Sequence, residues 1–130
     1  MFKLTLDDLP QEHFGEQALK GRIQLSGKLD ESYLASLTFW QREDYINHWN
    51  ESLKSVLELE PKVAFISNMI DPEQGSFIRC YVCYTLGSQV GFQEHILFLD
   101  ELSEKFQLEN IHTYIHDRQT EPDEDGIMPS

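Results

Sequence analysis

Cys80 and Cys83 stand three residues apart, the C-x-x-C spacing that serves thiol–disulfide exchange or zinc binding when it lies on a turn or at a helix N-terminus. The run around them, Phe77 to Leu86, is rich in aromatic and β-branched residues and predicts a strand. Strand positions three apart point to opposite faces and lie roughly 10 Å from each other. The two cysteines are therefore expected as small buried hydrophobes, not as a chelating or redox pair. His112 and His116 are four apart, a spacing that puts both on one metal if the segment is helical. Ile111 to Ile115 predicts a strand instead, on which the pair would share a face at roughly 13 Å, too far for one ion. His13, His48 and His95 have no companion at ligand spacing.

Adjacent carboxylates are frequent, but among 23 Asp and Glu residues adjacency says little about general acid–base work. Asp100-Glu101 and Asp123-Glu124-Asp125 are expected as solvated charge. The segment Glu121 to Gly126 is not a calcium loop, because no distal Glu follows at the required spacing. There is no G-x-S-x-G elbow, no glycine-rich phosphate cradle and no convincing Ser/His/Asp set. No catalytic residue, cofactor or metal is assigned, and the expectation is a protein that is not an enzyme.

The best helix runs from Gln41 to Leu57. Tyr45, Trp49, Leu53 and Val56 recur at spacings of four, four and three, widened by Ile46 and Leu57. Gln41 and Asp44 have capping-box spacing, and Trp40 is placed to staple against Tyr45. Gly21 to Leu25 alternates as a short strand, and after Ser26-Gly27 the run Lys28 to Leu34 is its hairpin partner. Pro61 ends helical continuation. Val63 to Met69 then predicts a buried strand, Asp71 to Gly75 a turn, and Gly87-Ser88 a two-residue reversal between Phe77–Leu86 and Gln89–Leu97. With Ile111–Ile115 as a last strand the order is β-β-α-β-β-β-β. The fold class is α+β, a largely antiparallel sheet of about five to six strands packed against one main amphipathic helix.

The chain of 130 residues is expected to be a single domain spanning 1–130. Its acidic segment 117–130 is expected to be disordered or an exposed loop. The opening MFKLTLDDLPQEHFGEQ carries acids early and no apolar run, unlike a signal peptide. No window approaches a membrane span of ~18 apolar residues, and two cysteines make no extracellular disulfide framework, so a cytoplasmic location is expected. Ten Lys and Arg against 23 acids give a net charge of −13, which repels nucleic-acid phosphates and anionic lipid and attracts a basic protein. The charge is uneven: residues 87–130 hold ten acids and only Lys105 and Arg118 as bases, −8 of the −13.

Three stretches carry a likeness to a known family. One is Leu37-Thr38-Phe39-Trp40-Gln41-Arg42-Glu43-Asp44-Tyr45 followed by Trp49 and Leu53. Another is Tyr81-Val82-Cys83-Tyr84 through Val90 to Leu97-Phe98-Leu99-Asp100, and the last is Glu124-Asp125-Gly126-Ile127-Met128-Pro129-Ser130. In these the sequence resembles the immunity proteins of bacterial contact-dependent growth inhibition systems. It departs from them at Gln41, where the family carries Ser or Thr, and at Ser130, where the family commonly continues.

The resemblance implies a protein that binds the toxic C-terminal domain of a large exported effector and occludes its active site. It implies no catalysis by the immunity protein itself, and a toxin that is commonly a basic nuclease. On that footing Glu94, Asp100, Glu101, Glu104, Asp117, Asp123, Glu124 and Asp125 are the expected toxin contacts, standing in for nucleic-acid phosphates. Direct nucleic-acid binding and membrane binding are not expected. The alternative is a protein-binding adaptor or chaperone-like module without a toxin partner. A third class, a small enzyme using a metal at His112, His116 or the cysteines, would show stoichiometric zinc or iron.

Overall fold

The computed structural model describes residues 2–13, 15–26 and 29–115. Among the described residues seven strands, one α-helix and two short 3-10 segments follow in the order β1 (Phe2–Leu6), β2 (Gln11–His13), β3 (Glu16–Leu25), β4 (Leu29–Ser36), α1 (Arg42–Leu57), β5 (Lys62–Asn68), β6 (Phe77–Leu86) and β7 (Gln89–Phe98). A 3-10 turn at Leu99–Glu101 and a 3-10 helix at Leu108–Tyr114 close the described chain. The class is α+β, with every strand pair antiparallel. The strands divide into two sheets, one of four and one of three.

In the first sheet the long β3 is the spine. It pairs with β4 along its length, with β1 along its second half and with β2 along its first. Period-two patterning turns Leu19, Gly21, Ile23 and Leu25 inward, opposite Ala35, Tyr33 and the inward residues of β1. Gly21 is required there because a Cβ would run into the Tyr33 ring lying across it. β1 and β2 were not anticipated, since Phe2–Leu6 is short and Gln11–His13 is polar. They exist because β3 offers an edge for them to pair with.

The second sheet is the expected meander β5-β6-β7. At the β6–β7 turn Gly87 takes φ 67° while Ser88 stays at negative φ, as a type II′ reversal requires. Asp71 nucleates the β5–β6 connection by accepting the Glu73 N–H on its side chain at 3.0 Å and the Gly75 N–H on its carbonyl at 2.8 Å. Cys80 and Cys83 lie on β6, paired with Ile66 and Val63 and so on opposite faces. Phe2 from the first sheet packs edge-on against Phe65 (5.7 Å) and Phe92 (4.7 Å) of the second, and Tyr33 meets Tyr81 at 5.8 Å. One apolar cluster runs through both sheets and the helix.

α1 begins where the sequence predicts. The Gln41 N–H donates to Asp44 Oδ2 at 2.8 Å, and Trp40 stacks edge-on against Tyr45 at 5.0 Å. Its buried face differs from the expected apolar stripe: Tyr45, His48, Trp49 and Ser52 are buried, whereas Leu53 and Leu57 are exposed at 40% and 74%. The reason is that the buried face meets the backbone edge of β5, which needs donors and acceptors more than methyl groups. The helix ends with Leu59 at φ 64° and the Glu60 N–H on Ser55 O at 3.1 Å, a Schellman-type closure with leucine in the glycine position.

The expected strand at Ile111–Ile115 is corrected. These residues belong to the 3-10 helix and its exit. Ile111 and Ile115, four apart, both point into the core over the second sheet, a helical spacing that the five-residue window also permits as alternation. His112 therefore lies on a helix, and His116 lies outside the described residues.

Candidate functional site

Of the eight acids expected to contact a toxin, Glu94, Asp100, Glu101 and Glu104 fall in the described chain and all are exposed. Asp117, Asp123, Glu124 and Asp125 lie outside it. Glu94 sits on β7 opposite Tyr81 of β6, on the face turned toward the first sheet. The Tyr81 hydroxyl donates to Glu31 Oε1 on β4 at 3.3 Å, so Glu31 and Glu94 share a neighbourhood built by two different sheets. Partial burial, then the charge of Glu31, holds the Glu94 carboxyl above the usual carboxylate range.

Asp100 and Glu101 occupy the 3-10 turn directly after β7, and Glu104 follows in the next loop. Glu101 lines a small cavity of about 150 Å³ with Cys80, His95 and Tyr114 on the opposite face of β7 from Glu94. The structure thus splits the acidic group: Glu94 joins Glu31 on one face, and Glu101 belongs to the other. Lys105, one of the two bases of the last third, is held by Glu73 at 2.7 Å.

A larger cleft, about 560 Å³, opens between α1 and the C-terminal 3-10 helix. Trp40, Asp44, His48, Glu51, Glu109 and His112 are among its lining residues. The outer edge of β5 borders it, and side chains there replace a neighbouring strand. The Ala64 N–H donates to His112 Nδ1 at 3.0 Å, and the Ile66 N–H donates to His48 Nε2 at 2.9 Å. Ser52 Oγ donates to Ala64 O at 2.7 Å, and Trp49 Nε1 to Ile66 O at 2.8 Å. All four outward-facing polar groups of two edge residues are satisfied, which closes the edge to strand pairing.

Both imidazoles are neutral acceptors. Burial, and then the nearby His112, pushes His48 down to about 4. Burial also lowers His112, with Glu60 opposing. Burial raises the Cys80 thiol to about 12 and the Cys83 thiol to about 11, so both are protonated and unreactive at neutral pH. Among the described residues no three His, Cys, Asp or Glu side chains converge as a metal set. None of the described helices is long and apolar enough to cross a membrane.

Sequence reasoning singled out neither Glu31 nor the cleft acids Asp44, Glu51 and Glu109, and it did not anticipate that His48 and His112 serve neighbouring amides of one strand edge. The strand parity of 28–34 was the available signal for Glu31. For the two histidines, 64 residues apart, the linear sequence held none.

The described chain is thus a two-sheet α+β fold with buried, protonated thiols and exposed acids. The chain belongs to the CdiI immunity-protein family: the family described as the CdiI N-terminal domain matches residues 35–128, from the end of β4 onward. Over 130 residues it is 32% identical to the immunity protein CdiI of Enterobacter cloacae subsp. cloacae, covering 100% of this chain and 88% of that one. It superposes on a chain of the solved CdiA-CT/CdiI toxin and immunity complex from Enterobacter cloacae with a TM-score of 0.86 and 31% identity, covering 100% of this chain and 87% of that chain. The likeness includes β1–β3, which precede the family segment.

Proposed function

We propose that this protein binds and neutralises the toxin C-terminal domain of a contact-dependent growth inhibition effector, in the cytoplasm and without catalysis of its own. The observation that carries the reading is the whole-chain likeness to a chain of a solved CdiA-CT/CdiI complex. A net charge of −13 suits a basic partner, and a nuclease is the partner class whose own ligand is a polyanion. In this proposal residues 1–130 act as one domain. The contact surface draws on both faces of β7 and the chain beyond it: Glu94, Asp100, Glu101 and Glu104, with Asp117, Asp123, Glu124 and Asp125 of the terminal segment.

Growth rescue tests the function. The toxin domain encoded beside this protein is induced with this protein, or with an unrelated acidic protein of similar charge. Rescue by the first alone is the expected result, and failure with both partners soluble removes the toxin reading and favours an adaptor. Association kinetics test the surface. Each Glu→Lys or Asp→Lys reversal adds two charges, so reversing Glu94, Asp100, Glu101 and Glu104 takes the net charge from −13 to −5. At low ionic strength the association rate should fall about tenfold or more, with the difference shrinking in high salt. An unchanged rate places the interface elsewhere.

A further inference from the structure

We infer that His112 is a proton-operated latch: its neutral ring fastens the C-terminal 3-10 helix to the edge of β5, and protonation releases that fastening into the acid-lined cleft beside it. The geometry makes the bond conditional. His112 Nδ1 accepts the Ala64 N–H at 3.0 Å, which requires an unprotonated nitrogen. Adding a proton turns that nitrogen into a donor facing another donor, so the bond becomes a repulsion.

The surroundings supply a destination. The titratable and charged groups facing this junction are Asp44, His48 and Glu51 from α1, Glu60 from the connection between α1 and β5, Lys62 at the start of β5, and Glu109 from the 3-10 helix itself. Asp44, Glu51 and Glu109 line the cleft and can accept from an imidazolium that has swung off the strand. His48 makes the matching bond to Ile66 but is 9% exposed, and its ring is the more deeply buried of the two. His112 is only half-buried and has Glu60 favouring its charged form, so it is the member that yields first.

Other tethers hold this segment: the Lys62 ammonium donates to Ile115 O at 2.7 Å, and Ile111 and Ile115 are buried in the core. The 3-10 helix is therefore loosened without being lost, and the two sheets keep their ladders. Mild acid therefore loosens this segment before His48 gives up its bond to Ile66. The release consumes one proton and breaks one hydrogen bond.

Full-length protein labelled with 15N and 13C provides the test. The His112 Cε1–Hε1 signal and the amide exchange of Ala64 and Ile66 are followed together from pH 7.5 to 5. After correction for intrinsic exchange, Ala64 protection should fall by up to about tenfold per pH unit as pH drops below about 6.5 and level off below the His112 midpoint, while Ile66, whose partner His48 titrates at about 4, remains protected at pH 5. His112→Asn offers an uncharged acceptor near the Nδ1 position and should make Ala64 protection independent of pH. Constant Ala64 protection through the His112 titration overturns the latch, as does a midpoint above 6.5 or an equal loss at Ile66. The wild-type titration decides the matter even if the variant fails to fold.

Discussion

Replacing Tyr45 by phenylalanine deletes one oxygen from the centre of the protein and leaves the ring in place between Trp40 and Trp49. That oxygen holds two elements together. It donates to Ser36 O at the end of β4 at 2.7 Å and accepts the Met69 N–H just past β5 at 3.0 Å. Tyr45 is fully buried at 0% exposure, so in Tyr45→Phe neither backbone group gains water in exchange. Each orphaned buried group costs about 1–3 kcal/mol, and the relief of no longer burying the hydroxyl offsets part of this. The expected loss is about 3 kcal/mol, or a melting temperature lower by about 10 °C in a domain of this size.

Tyr33→Phe is the internal control. The Tyr33 hydroxyl is buried with no hydrogen-bond partner among the described residues. Removing it should leave stability unchanged or raise it by about 1 kcal/mol. Urea unfolding of both variants, with unchanged m-values, gives the comparison. A loss below about 1 kcal/mol for Tyr45→Phe would refute the bridging role. Equal losses for the two variants would mean that ring repacking, not hydrogen bonding, sets the cost.

Two further outcomes follow from the same geometry. His48 titrates at about 4 when folded against 6.5 when unfolded, so the unfolded chain binds more protons between those values. Its stabilisation is complete above pH 6.5, is lost as pH falls, and levels off below about 4; from pH 7.5 to 5 the loss is about 2 kcal/mol. Urea unfolding at both pH values should show this for the wild type and a smaller loss for His48→Gln, and equal wild-type stability at the two pH values would exclude it. Leu59 holds φ 64° with 74% of its surface exposed. Leu59→Gly should therefore raise stability by about 1 kcal/mol in thermal melts while Leu59→Ala gains nothing. A loss in the glycine variant would show that the exposed leucine side chain stabilises the fold more than its backbone strain costs.

Local chemistry made α1 and the β5-β6-β7 meander legible. Trp40, Gln41 and Asp44 mark the helix start, Pro61 bars its continuation, and Asp71, Gly75 and Gly87 mark the turns between apolar runs. Each signal acts over a few residues, through capping, fixed φ or period-two patterning, so it survives in the linear chain. The opposite faces of Cys80 and Cys83 follow from the same period. The net charge of −13 and its concentration in the last third are likewise properties of the chain alone.

Long-range pairing decided the rest. β1 and β2 are strands because β3 is ten residues long and gives them partners. The seven strands split into two sheets because α1 and the 3-10 helix, not another strand, occupy the outer edge of β5. His48 and Ser52 are buried at positions where periodicity favours Leu53 and Leu57, since a backbone edge demands hydrogen bonds that leucine cannot make. Glu31 meets Tyr81 across a sequence separation of 50, and His48 and His112, 64 apart, come to the same strand edge only once the chain has folded. Periodicity reports which face of an element is apolar; which edge that face meets is a property of the assembled sheets.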